Sequence, residues 1–233
     1  MTVTFEKSEH EAPHIKTFYF KPEKPVRYTA GQFIELTLPH DQPDDRGIKR
    51  YFTLSSSPMD DLLTITTKIV SDNSSFKRTL NELKKGARVT MAEPMGDFVL
   101  PKDPSIPLVF VAGGMGITPY HSIFRWQHDM NETRDIRFLY AVSQEDDIIF
   151  QDTFDDVGVH ATIIVSEPSS AWGGERGHLT AEHILKLAEP APDALIYMAG
   201  PEPMIESLEK DLHKLDIPKQ RLVLDFFPGY QPV

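Results

Sequence analysis

The sequence predicts two domains: an N-terminal antiparallel six-stranded β-barrel and a C-terminal α/β doubly wound parallel sheet. Three observations carry that expectation. The chain has 233 residues, more than one typical domain and enough for two that each bury a core. Up to about Ala92 apolar residues alternate with polar ones or form short β-rich runs, whereas beyond Leu100 buried strand-like runs alternate with helical spacing. Between the two rhythms lies PKDPSIP at 101–107, a proline-dense linker composition, so the domains are expected at 1–101 and 102–233.

In the first half, strands are expected at 2–5, 15–20, 33–38, 51–54, 62–69 and 88–91, separated by prolines, glycines and an Asp-rich turn at 40–47. Short strands with little helix suit a small closed barrel. The exception is SSFKRTLNEL at 74–83, where Phe76, Leu80 and Leu83 recur at helical spacing behind Ser74, a candidate N-cap. This helix is expected to plug one end of the barrel. In the second half, strands at 108–112, 136–141, 162–165, 195–199 and 221–224 alternate with helices at 120–130, 181–187 and 202–215. That is the pattern of a parallel sheet whose ligands sit at the carboxyl ends of its strands.

Two glycine-bearing breaks fall at such ends: Gly113-Gly114-Met115-Gly116-Ile117-Thr118-Pro119 and Gly200-Pro201-Glu202-Pro203-Met204. Glycines there are expected to admit unusual backbone angles and the close approach of a ligand. The helix starting near Pro119 would aim unpaired amides at an anion. In the first half the informative stretch is Arg50-Tyr51-Phe52-Thr53-Leu54-Ser55-Ser56-Ser57-Pro58. On a strand Arg50 and Phe52 share one face, Tyr51 and Thr53 the other. An arginine fork suits a pyrophosphate, a ring suits a flat heterocycle, and a hydroxyl suits a ring nitrogen. The same residues also fit a surface arginine beside two core aromatics.

Composition narrows the function. The absence of cysteine excludes disulfides, thiolate catalysis and cysteine-held zinc or iron–sulfur sites. Redox chemistry would then need an organic cofactor or a metal on other ligands. A net charge of −11 argues against nucleic acid or an anionic membrane as partner. No membrane span is expected, because no stretch approaches the required apolar length. The first ten residues show no signal-peptide pattern, and a cytoplasmic location is expected. No metal site is expected among the nine histidines: Pro13 separates His10 from His14, and His178 and His183 flank a probable helix start. Ser55, Ser56 and Ser57 read as strand-to-loop polar residues and not as a nucleophile.

Arg50, Phe52 and Thr53 resemble the Arg-x-Tyr-Ser/Thr block of the ferredoxin–NADP(+) reductase superfamily, with phenylalanine for the usual tyrosine. Phe52 can stack but cannot donate a phenolic hydrogen bond. Further blocks follow in order: Thr66 to Lys68, DNSSFKRTL at 72–80, GDFVL at 96–100, the glycine loop, and Ala199 to Met204, similar to Cys-Gly-Pro-x-x-Met. The resemblance covers nearly the whole chain. It implies bound FAD contacted by Arg50, Tyr51, Phe52, Thr53, Thr66, Lys68, Ser74, Ser75 and Phe76, and NAD(P)H at Gly113, Gly114, Gly116, Thr118, Gly200, Pro201 and Met204. Hydride would pass beside Thr53 and Thr118, the catalytic candidates. Asp225 and Phe227 on the last strand would lie near the flavin; an ordinary edge-strand end is the alternative. Ala199 replaces the cysteine of many relatives, so no thiol assists there.

The resemblance also bears on the nucleotide and the acceptor. NADP-specific relatives commonly hold the 2′-phosphate with a Ser-Arg pair, whereas this chain has Ser166-Glu167, and Glu145, Asp146 and Asp147 follow the preceding strand. Acidic residues repel a phosphate and accept from a ribose hydroxyl, which favours NADH over NADPH; Arg176 is the cation that would reverse this. The implied activity is an NAD(P)H-dependent flavoprotein reductase passing electrons to a separate acceptor such as a ferredoxin- or flavodoxin-like carrier. Lys77, Arg78, Lys84, Lys85 and Arg125 are the candidate basic patch for it. The alternatives are a flavin reductase with flavin as substrate, or a non-catalytic electron-transfer subunit of a larger complex.

Overall fold

The computed structural model describes residues 1–70, 73–228 and 230; Asp72, which opens the DNSSFKRTL block, lies outside them. Six strands, β1 (Thr2–Ala12), β2 (Ile15–Pro22), β3 (Phe33–Thr37), β4 (Lys49–Thr53), β5 (Leu63–Lys68) and β6 (Arg88–Met91), form an antiparallel sheet in the order β4-β3-β6-β1-β2-β5. Its two end strands meet where Leu54 bridges Ile65 and the Ser55 amide donates to the Thr64 carbonyl at 2.9 Å. The sheet thereby closes on itself and removes its edges. Alternate residues such as Phe18, Phe20, Ile34, Leu36 and Ile65 fill the interior. Helix α1 (Ser75–Glu82) adds Phe76 and Leu80 to that core, as a plug does. Strand β1 runs beyond the expected 2–5 because β1 and β2 form one long hairpin, with register shifts between Phe5 and Lys7 and between His10 and Ala12.

The second half contains β7 (Leu108–Gly113), α2 (Thr118–Met130), β8 (Ile136–Val142), α3 (Gln151–Asp155), β9 (Ala161–Val165), β10 (Glu175–Arg176), α4 (Ala181–Ala188), β11 (Leu195–Pro201), α5 (Glu202–Lys214) and β12 (Leu222–Phe227). All strands are parallel, in the order β10-β9-β8-β7-β11-β12. Elements α3 and β10 are too short for periodicity to reveal. The strand order reverses beside β7, so the carboxyl ends of β7 and β11 flank the crevice of the sheet. Strand β12 continues past the expected residue 224 and carries Asp225 and Phe227 alongside Ala199 and Pro201.

The glycines at that crevice also have a packing reason. A Cβ on Gly116 would lie 2.0 Å from the Ala199 carbonyl oxygen and 2.7 Å from the Gly200 nitrogen, and one on Gly113 would lie 2.6 Å from Met204 Sδ. Only Gly114 of the three has a positive φ, +50°. At Gly116 the close approach is made by backbone, where the turn after β7 presses against the end of β11, and at Gly113 by the Met204 side chain.

The two domains are joined chiefly through α2. His121 Nδ1 donates to the Ser55 carbonyl at 2.7 Å, and Ser122 Oγ donates to the Ser56 carbonyl at 2.6 Å. Ser57 Oγ reaches Asp129 at 2.5 Å, and Arg125 pairs with Asp60 at 2.7 Å. His121 also stacks on Phe150, ring centroids 3.7 Å apart. Burial pushes its pKa down to about 3, so the ring is a neutral donor.

Replacing Gly116 by alanine is expected to lower stability by about 3 kcal/mol, the upper end of overpacking costs, because the obstructing atoms are backbone. Urea unfolding measures this, and an unchanged midpoint would contradict the packing argument.

Candidate functional site

Two adjoining cavities lie where the domains meet. The larger, about 400 Å³, is walled by Phe33, Arg46, Tyr51, Phe52, Thr53 and Met95 from the barrel and by Leu224, Asp225, Phe226, Phe227, Pro228 and Tyr230 from the other domain. The smaller, about 80 Å³, shares several of these and adds Arg50, Thr66, Ser74, Lys77, Met115 and Thr118. A broader depression of about 990 Å³ on the barrel, with Lys21, Lys24 and Met59 in its wall, contains none of the residues expected to contact FAD or NAD(P)H. Chemistry therefore favours the interdomain pair over the larger volume.

Strand β4 supplies one wall. Tyr51 is 63% exposed, edge-on to Phe33 at 5.7 Å, while Arg50 and Thr53, from opposite faces of the strand, are both buried. Phe52 is half-buried, 6.0 Å from Phe76 behind it. Thr66 lines the smaller cavity, and its hydroxyl is within hydrogen-bond reach of Thr17 (2.8 Å) and Ser55 (2.9 Å). Ser74 caps α1 by accepting from the Lys77 amide at 3.3 Å. Thr118 opens α2 and donates to the Met115 carbonyl at 3.0 Å.

The structure thus gathers Arg50, Tyr51, Phe52, Thr53, Thr66, Ser74, Thr118, Asp225 and Phe227 around one space. Other candidates are placed differently. Lys68 pairs with Asp147 at 2.9 Å across the domains. Ser75 Oγ is within 3.0 Å of both His40 Nε2 and the Asp44 amide. Phe76 is fully buried in the barrel core. Gly113, Gly114, Gly116, Gly200, Pro201 and Met204 are buried at the carboxyl ends of β7 and β11 and line neither cavity. Arg46 and Tyr230 line both cavities but carry no sequence signal; Tyr230 joins through its hydroxyl, 2.9 Å from Thr67 Oγ1 and 3.1 Å from Lys77 Nζ.

Charges in and around the cavities are unevenly committed. Arg50 Nη1 donates to the carbonyls of Arg46 (2.9 Å), Gly47 (3.0 Å) and Lys49 (2.7 Å), and Nη2 pairs with Asp44 at 2.5 Å. That guanidinium holds the Asp44 carboxyl below its usual range. Asp225 has a buried Oδ2 with no hydrogen-bond partner among the described residues. Burial pushes its pKa up to about 7. Of the candidate basic residues, Arg78 donates to the Asn73 carbonyl, Arg125 pairs with Asp60 and Lys85 lies 3.6 Å from Glu6. Beyond β9, Glu167 is exposed, and Arg176 Nη2 donates to the carbonyls of Ser169 (3.1 Å) and Trp172 (2.5 Å). Among the described residues no cluster of His, Asp or Glu has the makings of a metal site, and no helix is long and apolar enough to cross a membrane.

Comparison with known proteins bears on the same regions. Residues 110–210 match the oxidoreductase NAD-binding domain family. The chain is 28% identical over 233 residues to the stachydrine N-demethylase reductase subunit of Rhizobium meliloti (strain 1021), covering 94% of this chain and 65% of the relative. It spans 58–65% of the length of the first curated relatives it matches. In structure it is similar to the flavohem-like FAD/NAD binding domain of nitric oxide dioxygenase from Vibrio cholerae O1 biovar El Tor, with a TM-score of 0.83, 21% identity and 98% of each chain covered. A ferredoxin NADP+ reductase from Neisseria gonorrhoeae with bound FAD and NADP superposes with a TM-score of 0.80 at 17% identity, covering 99% of this chain and 98% of that one.

Asp225 yields a pH prediction. Its folded pKa lies above that of the unfolded chain, so its contribution is full below the unfolded pKa near 3.8 and is lost as pH rises through about 7. The stability of Asp225→Asn relative to wild type should climb by a few kcal/mol over that window and stay level above it. Urea unfolding at a series of pH values tests this; a flat difference would contradict it.

Proposed function

We propose, from the fold the chain shares with a ferredoxin NADP+ reductase and a flavohem-like FAD/NAD binding domain and from the match of residues 110–210 to the oxidoreductase NAD-binding domain family, an FAD-dependent NADH reductase that serves a separate electron acceptor. The observation that carries the reading is the shared cavity. Phe52, Thr53, Thr66 and Ser74 come from the flavin-type motifs, Met115 and Thr118 from the nicotinamide-type loop, and all line one space. Neither domain makes that space alone.

The residues fit a flavin on their own chemistry. Phe52 and Phe227 offer apolar faces to a flat ring, while Thr53, Thr66 and Thr118 complete the walls. Bound flavin would supply hydride acceptance from a nicotinamide and release of the two electrons singly. The chain's part is positioning and exclusion of water. Thr53 and Thr118 border the place where the two rings would meet. Asp225, half-buried and neutral at low pH, lines the larger cavity together with Thr53. Ala199, paired with Asp225 at the end of β11, brings no thiol.

Support for NADH comes from the ends of β8 and β9. Glu167 is exposed there, and Arg176, the cation that would otherwise favour a 2′-phosphate, is spent on loop carbonyls. The relative from Rhizobium meliloti is a reductase subunit, which supports a separate protein as acceptor for this chain too.

Anaerobic titration of the flavin-loaded protein tests the reading. NADH should bleach the flavin absorbance at lower concentration than NADPH, and Glu167→Arg should narrow that gap by about tenfold. If neither nucleotide bleached bound flavin, the reductase assignment would be wrong; preference for NADPH in the wild type would overturn the nucleotide choice alone.

A further inference from the structure

Another cavity between the domains, of about 350 Å³, shares no residue with the two described above. Its wall takes Tyr28 from the barrel, Leu100 and Lys102 from the stretch that joins the domains, and Trp126, Glu132 and Arg134 from α2 and its connection to β8. None of the residues expected to contact FAD or NAD(P)H lines it. A volume of this order, a place between domains and an apolar, aromatic wall with a few polar groups are the properties of a small-molecule site.

Arg134 is the least exposed charge in that wall. Its side chain is only 3% exposed, a position in which an ion needs partners. Nε donates to Glu132 Oε1 at 2.6 Å, and Nη1 donates to the carbonyls of Pro101 at 2.9 Å and Asp103 at 3.4 Å. Nη2 has no hydrogen-bond partner among the described residues. The charge also acts on the Asp103 carboxyl and the Tyr197 hydroxyl. Both of those are engaged elsewhere: Asp103 Oδ1 accepts from Ser105 Oγ (2.6 Å) and the Ser105 amide (2.9 Å), and Tyr197 donates to the Val99 carbonyl (2.8 Å). Lys102 is exposed and has no hydrogen-bond or ion-pair partner among the described residues. The wall thus carries two cations against one carboxylate, and Arg134 already holds that carboxylate.

The aromatic part of the wall is equally ready. Trp126 is half-buried, and its Nε1 makes no hydrogen bond among the described residues. Tyr28 is anchored by its hydroxyl, which donates to the Ser56 carbonyl at 2.9 Å. Fixed rings suit a flat apolar body, and a guanidinium nitrogen with an ammonium in the same cavity suits a carboxylate.

We infer that this interdomain cavity binds a small planar aromatic carboxylate, its ring against Trp126 and Tyr28 and its carboxyl group on Arg134 Nη2 and Lys102. Tyr28 shares the Ser56 carbonyl with Ser122 of α2, so an occupant touches a residue of the domain junction. Binding to the folded chain should raise its thermal midpoint.

The probe is 2-naphthoate, with 2-naphthamide as its neutral counterpart, each titrated calorimetrically into the full chain. The acid should bind about tenfold more tightly than the amide, the worth of a charge-assisted hydrogen bond. Trp126→Ala should weaken both about tenfold. Lys102→Gln should weaken the acid alone by about threefold, and Arg134→Lys should cut the acid's advantage to about threefold. Should Arg134→Lys fail to fold, Trp126→Ala and Lys102→Gln, on half-buried and exposed side chains, decide alone. Three results would each overturn the site: no heat of binding at millimolar 2-naphthoate, equal affinity for acid and amide, or unchanged affinity in Trp126→Ala, which would place the probe elsewhere on the chain.

Discussion

Everything at the cavity depends on a short run of hydrogen bonds between the end of β4 and the start of α2. The Ser55 and Ser56 carbonyls accept from His121 and Ser122. Thr53 precedes Ser55 by two residues and Thr118 precedes His121 by three. The bonds that fix the domains therefore also fix the spacing of the two threonines on the cavity wall. Each such bond adds only about 1 kcal/mol to stability, but here its greater effect is on register. Burial keeps His121 neutral and stacked on Phe150, so its donor has one direction to point.

From that junction the remaining features follow. Because α2 is held against the barrel, the turn from Gly114 to Ile117 is pressed between barrel and sheet, and β11 must pass close behind it. The space available at Gly116 is too small for a methyl group. Strand β12, paired along its length with β11, then brings Asp225 and Phe227 to the same level as the barrel wall. This arrangement buries Asp225 Oδ2 without a hydrogen-bond partner among the described residues, a local cost of the kind found at functional sites.

The fold was legible because its signals are periodic and local. Alternation gave the barrel, buried runs between helical segments gave the parallel sheet, and PKDPSIP marked the change. Much of the site was legible too: Phe52, Thr53, Ser74, Thr118 and Asp225 all reach the cavities. What sequence could not show is which distant backbone group claims a given donor. Arg50 reads as a free fork until the carbonyls of its own loop are seen around it. Ser55, Ser56 and Ser57 read as loop polar residues, though their carbonyls and hydroxyls make the domain junction. Arg46 and Tyr230 enter from an irregular loop and a chain end, where neither period applies.

The most direct test of this account is the rate of flavin reduction by NADH in anaerobic stopped flow, for wild type against Ser122→Ala. The substitution removes the 2.6 Å bond to the Ser56 carbonyl, which still accepts from Tyr28 at 2.9 Å, so no buried group is orphaned. If the junction sets the register for hydride transfer, the rate should fall by about tenfold while bound flavin keeps its absorbance and content. A variant that reduces its flavin at the wild-type rate would show that the junction holds the domains together without tuning the chemistry between them.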